Sequence, residues 1–258
     1  MIKISGAMPV HNEECFLPYS LKPLESANLD ELVFVLDRCT DRTEQIIDRF
    51  SRYVEYPIVK VKIEKREWFF PTCEVMKIAY ENTSGDIIYS LGADAYYNPL
   101  IFMIDWNNLD FASFPYFAYD LFGNLTDKLH ASWINFYKWI LNILYPKLTK
   151  KQKFSGIMGF RRELLNATPI EDVGSEDIWF LKESFKKGFR YKYFPNLLSY
   201  HLRPATSGRK NKQREHGIGR AILKYPLWKV IAHSILLGKP YTLKAFLETR
   251  ANPRNINF

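Results

Sequence analysis

The sequence predicts an α/β chain: a mixed, mostly parallel sheet flanked by helices, ending in a basic amphipathic helical tail. Over residues 1–100, strand-like apolar runs alternate with stretches of helical spacing, the pattern of βαβ units. At 258 residues and 47% hydrophobic content the chain can bury a sizeable core without disulfides or a structural metal. Residues 203–258 hold 12 Lys/Arg against 2 Asp/Glu, leaving 24 against 26 in the first 202, so the net charge of +8 belongs to the tail.

Taken in order, strands are expected at Lys3–Val10, Glu31–Leu36, Ile58–Ile63 and Asp86–Leu91. Between them Cys15–Ala27, Asp41–Tyr53 and Thr72–Asn82 carry apolar residues at helical spacing, bounded by polar residues or proline. This half reads as a Rossmann-like nucleotide-binding unit. From Asp110 the alternation loosens into a strand-like FASFPYFAY, an aromatic helix around Leu129–Leu144, a strand-like Phe154–Phe160 and a helix near Glu176–Lys187. No Gly/Ser-rich linker separates this half from the first. After Arg203 comes the polar basic stretch ATSGRKNKQREHG, then amphipathic helices.

Cys15, Cys39 and Cys73 are isolated, without a CxxC pair or zinc spacing, and read as reduced thiols. With no signal-peptide pattern at MIKISGAMPVHNEE, a cytoplasmic location is expected. The most apolar stretches, Trp133–Tyr145 and Pro226–Gly238, are short and each is interrupted by lysine, which argues against a membrane-spanning helix.

Four segments carry candidate chemistry. Pro9-Val10-His11-Asn12-Glu13-Glu14 stands where the first strand ends, and ligands of open α/β sheets bind beyond such ends. Helix capping by Asn12 or Glu13 explains the same residues. Asp37 closes the second strand in Val35-Leu36-Asp37-Arg38-Cys39-Thr40-Asp41, where Thr40 or Asp41 can cap the next helix. Gly92-Ala93-Asp94 follows the fourth strand. Its carboxylate suits Mg²⁺ or Mn²⁺ bridging two phosphates, or is simply a solvated turn residue. Gly174-Ser175-Glu176-Asp177-Ile178-Trp179 opens a helix, either as capping or as a general base beside an acceptor hydroxyl.

In this order and spacing the four segments resemble the family 2 glycosyltransferases of the GT-A fold, over roughly residues 2–205. The resemblance lies in a P-x-x-N-E-E opening, an aspartate loop matching Asp37, a D-x-D region at Asp94, and an E-D helix start before a G-x-R-x-x-Y-x-P-like segment. It implies a GT-A domain over 1–205, with a nucleotide-sugar-binding half (1–100), an acceptor-binding half (101–205) and a basic extension over 206–258.

The resemblance further implies that Pro9, His11, Glu13, Asp37 and Asp94 bind the nucleotide and its metal. Asp37 would meet the base and Glu13 would lie near the ribose. Asp94 and His201 would hold Mn²⁺ or Mg²⁺ at the diphosphate. Asp177 is the implied base of an inverting displacement, with Glu176 and Trp179 shaping the acceptor site. The implied donor is a UDP- or GDP-sugar, and the acceptor a glycan or a lipid-linked hydroxyl. Gly92 stands where the family places the first aspartate of D-x-D. The alternative is therefore a catalytically degenerate homologue that binds nucleotide-sugar as a sensor or scaffold.

The lysines and arginines of the tail, interleaved with Tyr225, Trp228, Ile231, Leu236 and Leu237, suit an interfacial segment resting on anionic lipid, peripheral on the cytoplasmic face of a membrane. For the helix carrying Trp133, Phe136, Tyr137, Trp139, Ile140 and Ile143, packing into the core is the expectation favoured over a lipid-facing or acceptor-lining role. A nucleic-acid partner is not expected. The sequence pI of about 9.2 would fit one, but the carboxylates at the strand ends would not, and no RRM, KH or zinc-finger signature is present. A nucleotidyltransferase would open with a Gly-rich basic loop where this chain has PVHNEE.

Overall fold

A computed structural model describes residues 2–149, 157–174, 176–203 and 210–252. Its elements, in order, are β1 (Ile4–Val10), α1 (Leu17–Leu21), β2 (Glu31–Asp37), α2 (Thr43–Phe50), β3 (Ile58–Ile63), α3 (Pro71–Glu81), β4 (Ile87–Ser90) and β5 (Ala95–Tyr96). They continue with β6 (Phe111–Phe114), β7 (Tyr116–Ala118), α4 (Leu125–Thr149), β8 (Ile157–Arg161), α5 (Arg162–Ala167), α6 (Glu176–Lys186), β9 (Tyr191–Tyr193) and β10 (Ser199–His201). Three helices follow: α7 (Lys210–Ile222), α8 (Leu227–Leu236) and α9 (Pro240–Ala251).

The main sheet has seven strands in the order β3-β2-β1-β4-β8-β6-β9. β3, β2, β1 and β4 run parallel, β8 runs against both β4 and β6, and β9 is parallel to β6. β1 and β2 are buried at nearly every position because helices cover both sheet faces, which is why they read as unbroken apolar runs. Alternate residues part company: Phe34 and Leu36 join Leu17, Leu21, Ile47 and Phe50 on one face. Val35 and Ile88 join Cys73, Ala79, Tyr80 and Phe180 on the other. A second, three-stranded sheet, β5-β10-β7, stands at the carboxyl end of β4.

The predicted strands fall within a residue of those observed, and several other elements are corrected. Cys15–Ala27 yields only the short α1 and a 3₁₀ turn at Lys22–Leu24. Pro23 has no N–H to continue the helical ladder, so the turn tightens instead. FASFPYFAY is not one strand: Pro115 divides it, and β6 and β7 go to different sheets. The predicted Phe154–Phe160 strand is seen from Ile157; residues 154–156, like Ser175, residues 204–209 of the basic stretch and the 253–258 end, lie outside the described residues.

The aromatic helix is longer than expected, and its large side chains are not core. Ala131 and Ile134 are buried, while Trp133, Phe136 and Trp139 are each about half exposed, at 50%, 51% and 53%. Tyr137 and Ile140 are intermediate, and the side chain of Ile143 lies outside the description. The helix rests on β7 through its small face, where Asn135 holds both the N–H and the C=O of Ala118 at 2.8 Å.

The C-terminal helices lie on the body. Ile218 and Ile222 pack against the core face that holds Phe180, and Val230, Ala245 and Phe246 are buried. Glycine makes the closest approaches possible. A Cβ on Gly217 would stand 2.4 Å from the Thr242 carbonyl oxygen, and one on Gly219 would stand 3.0 Å from the Cα of Gly174.

Gly217→Ala tests this packing by the sign of its effect. In an unpacked helix the exchange stabilises by about 1 kcal/mol. Against the α9 backbone it is expected to destabilise by about 1–3 kcal/mol, read as a lower thermal midpoint. A raised midpoint would show that α7 and α9 are not so close.

Candidate active site

The site forms where β1, β2 and β4 end. After Val10 the chain turns through Asn12, held at φ 55, whose side-chain oxygen accepts the Thr40 N–H at 2.8 Å. The Glu13 N–H donates to Thr43 Oγ1 at 2.7 Å and the Glu14 N–H to Asp41 at 3.0 Å. These polar residues thus tie the loop after β1 to the loop after β2. Asn12 and Glu13 do not cap α1, whose N-cap is Phe16, without a side-chain hydrogen bond. Asp41 also accepts the Thr43 N–H at 3.0 Å at the start of α2. Pro9 lies in register with Val35 one residue before the end of β1.

Asp37, 2% exposed, ends β2. Its carboxylate accepts from Arg38 Nε and Arg66 Nε, each at 3.1 Å, and from Arg66 Nη2. Burial would raise its pKa, but Arg66 and then Arg38 hold it below the usual carboxylate range. His11 Nδ1 lies 2.5 Å from the Asp37 carbonyl oxygen and 3.9 Å from its Oδ2. The Arg66 loop is itself fixed: Glu74 accepts the N–H groups of Glu67 and Trp68, and Asp172 those of Phe69 and Phe70.

Asp94 sits between β4 and β5, and β10 brings His201 across from Ala95. His201 Nε2 is 3.3 Å from Asp94 Oδ2. Arg203, two residues beyond on the same side of the chain, places Nε 3.0 Å from that oxygen as a charge contact without hydrogen-bond alignment. Its Nη2 donates to both Glu13 oxygens at 2.5 Å. Burial, opposed by Arg203 and assisted by the charge of Asp94, pushes the Glu13 carboxyl up to about 7. At Gly92 a Cβ would stand 3.3 Å from Asp94 Oδ1, so the missing side chain would have pointed at this cluster.

Glu176 and Asp177 open α6. Asp177 Oδ1 accepts the Ile178 N–H at 2.7 Å. Burial and then the neighbouring Asp177 push Glu176 up to about 7; burial also raises Asp177, against the opposing charge of Arg220 on α7. Tyr116 links the two regions. Its ring lies 5.5 Å from His201, and burial followed by the charges of Asp177 and Asp94 pushes its phenol up to about 12. The Trp179 indole donates to the Pro169 carbonyl at 3.1 Å, which pins α6 to the preceding loop.

The structure therefore gathers His11 with Asp37, and Glu13 with Asp94 and His201, while Glu176, Asp177 and Trp179 stand on α6. Sequence reasoning assigned nothing to Arg66, Arg203, Tyr116 or Arg220. Only Arg203 carried a signal, its two-residue spacing from His201. Among the described residues no group of three His, Cys, Asp or Glu could hold a metal. One carboxylate oxygen and one imidazole nitrogen 3.3 Å apart nevertheless fit a hard divalent ion completed by substrate oxygens and water. The Arg203 guanidinium, placed against the same oxygen, shows that this position takes positive charge.

Comparison with known proteins bears on the family and the fold. The family model described as glycosyl transferase family 2 matches residues 5–168. No curated protein matches the chain. Among solved structures, S. aureus TarS 1-349 aligns at 14% identity with a TM-score of 0.57, covering 100% of this chain and 76% of that one. Glucosyl-3-phosphoglycerate synthase from Mycobacterium tuberculosis, in complex with Mg²⁺ and UDP, aligns at 22% identity and TM-score 0.56, covering 87% and 80%. Mannosyltransferase PcManGT from Pyrobaculum calidifontis, in complex with GDP-Man and Mn²⁺, aligns at 17% and 0.59, covering 100% and 76%. With its seven-stranded sheet and a family match spanning most of its length, the chain belongs to glycosyl transferase family 2 and has the GT-A fold.

Proposed function

We propose that this chain is an inverting glycosyltransferase that moves a sugar from a UDP- or GDP-sugar to an acceptor hydroxyl on a glycan or a lipid-linked molecule. The observation that carries this reading is the cluster at the sheet edge, where Asp94, His201, Glu13 and Arg203 meet within 3.3 Å contacts. A diphosphate brings negative charge, and this position already takes positive charge.

At the base end, Asp37 only accepts hydrogen bonds and Arg66 only donates them. They are paired with each other, so an edge that offers an N–H beside a carbonyl oxygen, as uracil and guanine do, would be met by exchanging part of that pairing. The UDP and GDP-Man complexes of the structural neighbours support the same two bases.

In the reaction, the acceptor hydroxyl gives its proton to an Asp177 oxygen while the hydroxyl oxygen forms a bond to the anomeric carbon. The bond from that carbon to the diphosphate breaks, and its electron pair leaves with the nucleotide from the opposite face. Asp94 and His201 would hold the divalent ion, which supplies positive charge to the leaving diphosphate. Arg203 neutralises charge at the same place, and Glu13, held by Arg203, orients it. Arg66 and Asp37 fix the base, so the sugar is presented in one orientation.

A second reading, a non-catalytic sensor or scaffold, is favoured by one observation: Gly92 removes a carboxylate directed at Asp94, whose oxygen is met by Arg203 instead. Turnover decides between them.

Asp177→Asn is expected to keep donor affinity and lower kcat by about 10²–10⁴-fold, the range of general-base help. Near-normal turnover would remove Asp177 from the role. Asp94→Asn is expected to weaken Mn²⁺-dependent donor binding by about tenfold or more in calorimetric titration, equivalent to about 1.4 kcal/mol. Equal affinity with and without Mn²⁺ in both proteins would contradict that assignment.

Glu176 adds a pH signature. Its folded pKa of about 7 lies above the ordinary 4.5, so between these values the native state binds more protons than the unfolded one. Stability is full below about pH 4.5 and falls as pH rises towards 7. Glu176→Gln should therefore raise the thermal midpoint relative to wild type at pH 8 but not at pH 4. Parallel midpoint curves would show that Glu176 is not held in its protonated form.

A further inference from the structure

We propose that α4 and α8 together form a docking face for an anionic membrane surface, and that this face belongs to the catalytic body as much as to the tail. The inference is independent of the transfer chemistry proposed above.

Along α4, Leu125, Leu129, Trp133 and Phe136 recur at intervals of four, four and three, on one helical face. That face is exposed, with Leu125 at 74%. Along α8, Trp228, Ile231 and Ile235 repeat the pattern, with Trp228 at 67% and Ile235 at 72%. The inward faces carry Ala131 and Ile134 on α4, and Val230 and Ser234 on α8. Both helices thus turn their larger apolar face outwards, the reverse of a surface helix that packs on a core.

The two faces adjoin. The Trp133 indole donates to the Leu236 carbonyl at 3.3 Å, joining α4 to the end of α8. Trp133, Phe136 and Trp139 form a ladder of rings 6.2 Å apart. Towards its start α4 continues to Phe122, whose ring meets Phe16 and Tyr19. Beyond it opens a cavity of about 270 Å³ lined by Tyr19, Tyr96, Tyr119, Leu121, Tyr200 and Leu202. Tyr200 alternates along β10 with His201, so this apolar surface and the candidate metal ligand lie on opposite faces of the same short strand.

Charge selects the occupant. α8 contains no acidic residue, Lys224 stands just before it and Lys229 lies in its first turn. A second copy of the chain would set this cationic surroundings against itself. An anionic bilayer complements it, and tryptophan and lysine are the residues that settle at lipid headgroups. No helix among the described residues is long and apolar enough to cross a membrane, so α4 and α8 would lie in the interface plane.

The test is co-sedimentation of the full chain with vesicles of phosphatidylcholine alone or mixed equally with phosphatidylglycerol, at low and high salt. Wild type is expected to bind the anionic vesicles, less so at high salt. Phe136→Asp on α4 and Ile235→Asp on α8 should each lower the partition coefficient by about tenfold or more, with unchanged circular dichroism. Lys224→Glu should weaken binding at low salt only. Failure of wild type to bind anionic vesicles would overturn the proposal, as would binding unaffected by either aspartate substitution. A concentration-dependent dimer that Phe136→Asp abolishes would assign the face to a second copy instead. Donor titration of the same variants reads the glycosyltransfer site separately, so failure here leaves that reading intact.

Discussion

The site depends on how the fold neutralises three carboxylates collected at one edge of a parallel sheet. Asp37 ends β2, Glu13 and Asp94 come just after β1 and β4, and each is mostly withdrawn from water. Buried carboxylates without partners cost several kcal/mol each. Arg66 serves Asp37, while Arg203 serves both Glu13 and Asp94. Because Arg203 lies 190 positions beyond Glu13, this pairing ties the first loop of the chain to the segment after its last strand. The small sheet makes that reach possible by setting β10 beside β5, so that His201 and Arg203 arrive at Asp94 together.

The same arginines give the site its chemical bias. Arg203 places its planar guanidinium where Asp94 and His201 converge. Arg66 donates to the Asp37 carboxylate at the end of β2, on the same edge of the sheet. At the other end, burial raises the proton affinity of both Glu176 and Asp177, the charge of Asp177 adds to the effect on Glu176, and α7 brings Arg220 to oppose the shift at Asp177. The C-terminal helices therefore bear on the candidate base as well as on the surface. Their close packing through Gly217 and Gly219 has a consequence at the site that a loose tail would lack.

Much of this was legible in the sequence, and what was not has physical reasons. β1, β2 and β4 could be read because burial on both faces leaves continuous apolar runs ended by polar clusters, and the edge strand β3 because its Ile and Val alternate with lysine. β5, β9 and β10 span two or three residues, too few to show a period, and their partners are remote. Asp37, Asp94 and His201 could be singled out as candidates because they stand at strand ends or within recognisable motifs. Arg66 was not, since its partner Asp37 lies 29 positions away on a separate strand and nothing local marks the pairing. The misplacement of α4 has a different cause. Its spacing correctly indicates an apolar face, but spacing alone does not say whether that face turns inwards, and here Ala131 and Ile134 take the inner side.

The sheet-edge cluster is proposed to bind a nucleoside diphosphate together with a divalent ion. Thermal unfolding of the wild-type chain with UDP, GDP, CDP and ADP, each with and without Mn²⁺, tests it most directly. The prediction is that UDP or GDP alone among the four raises the midpoint, and does so more strongly with Mn²⁺; a ligand at a hundred times its Kd contributes about 2.7 kcal/mol. No shift with any nucleotide, or equal shifts with all four regardless of Mn²⁺, would contradict the claim.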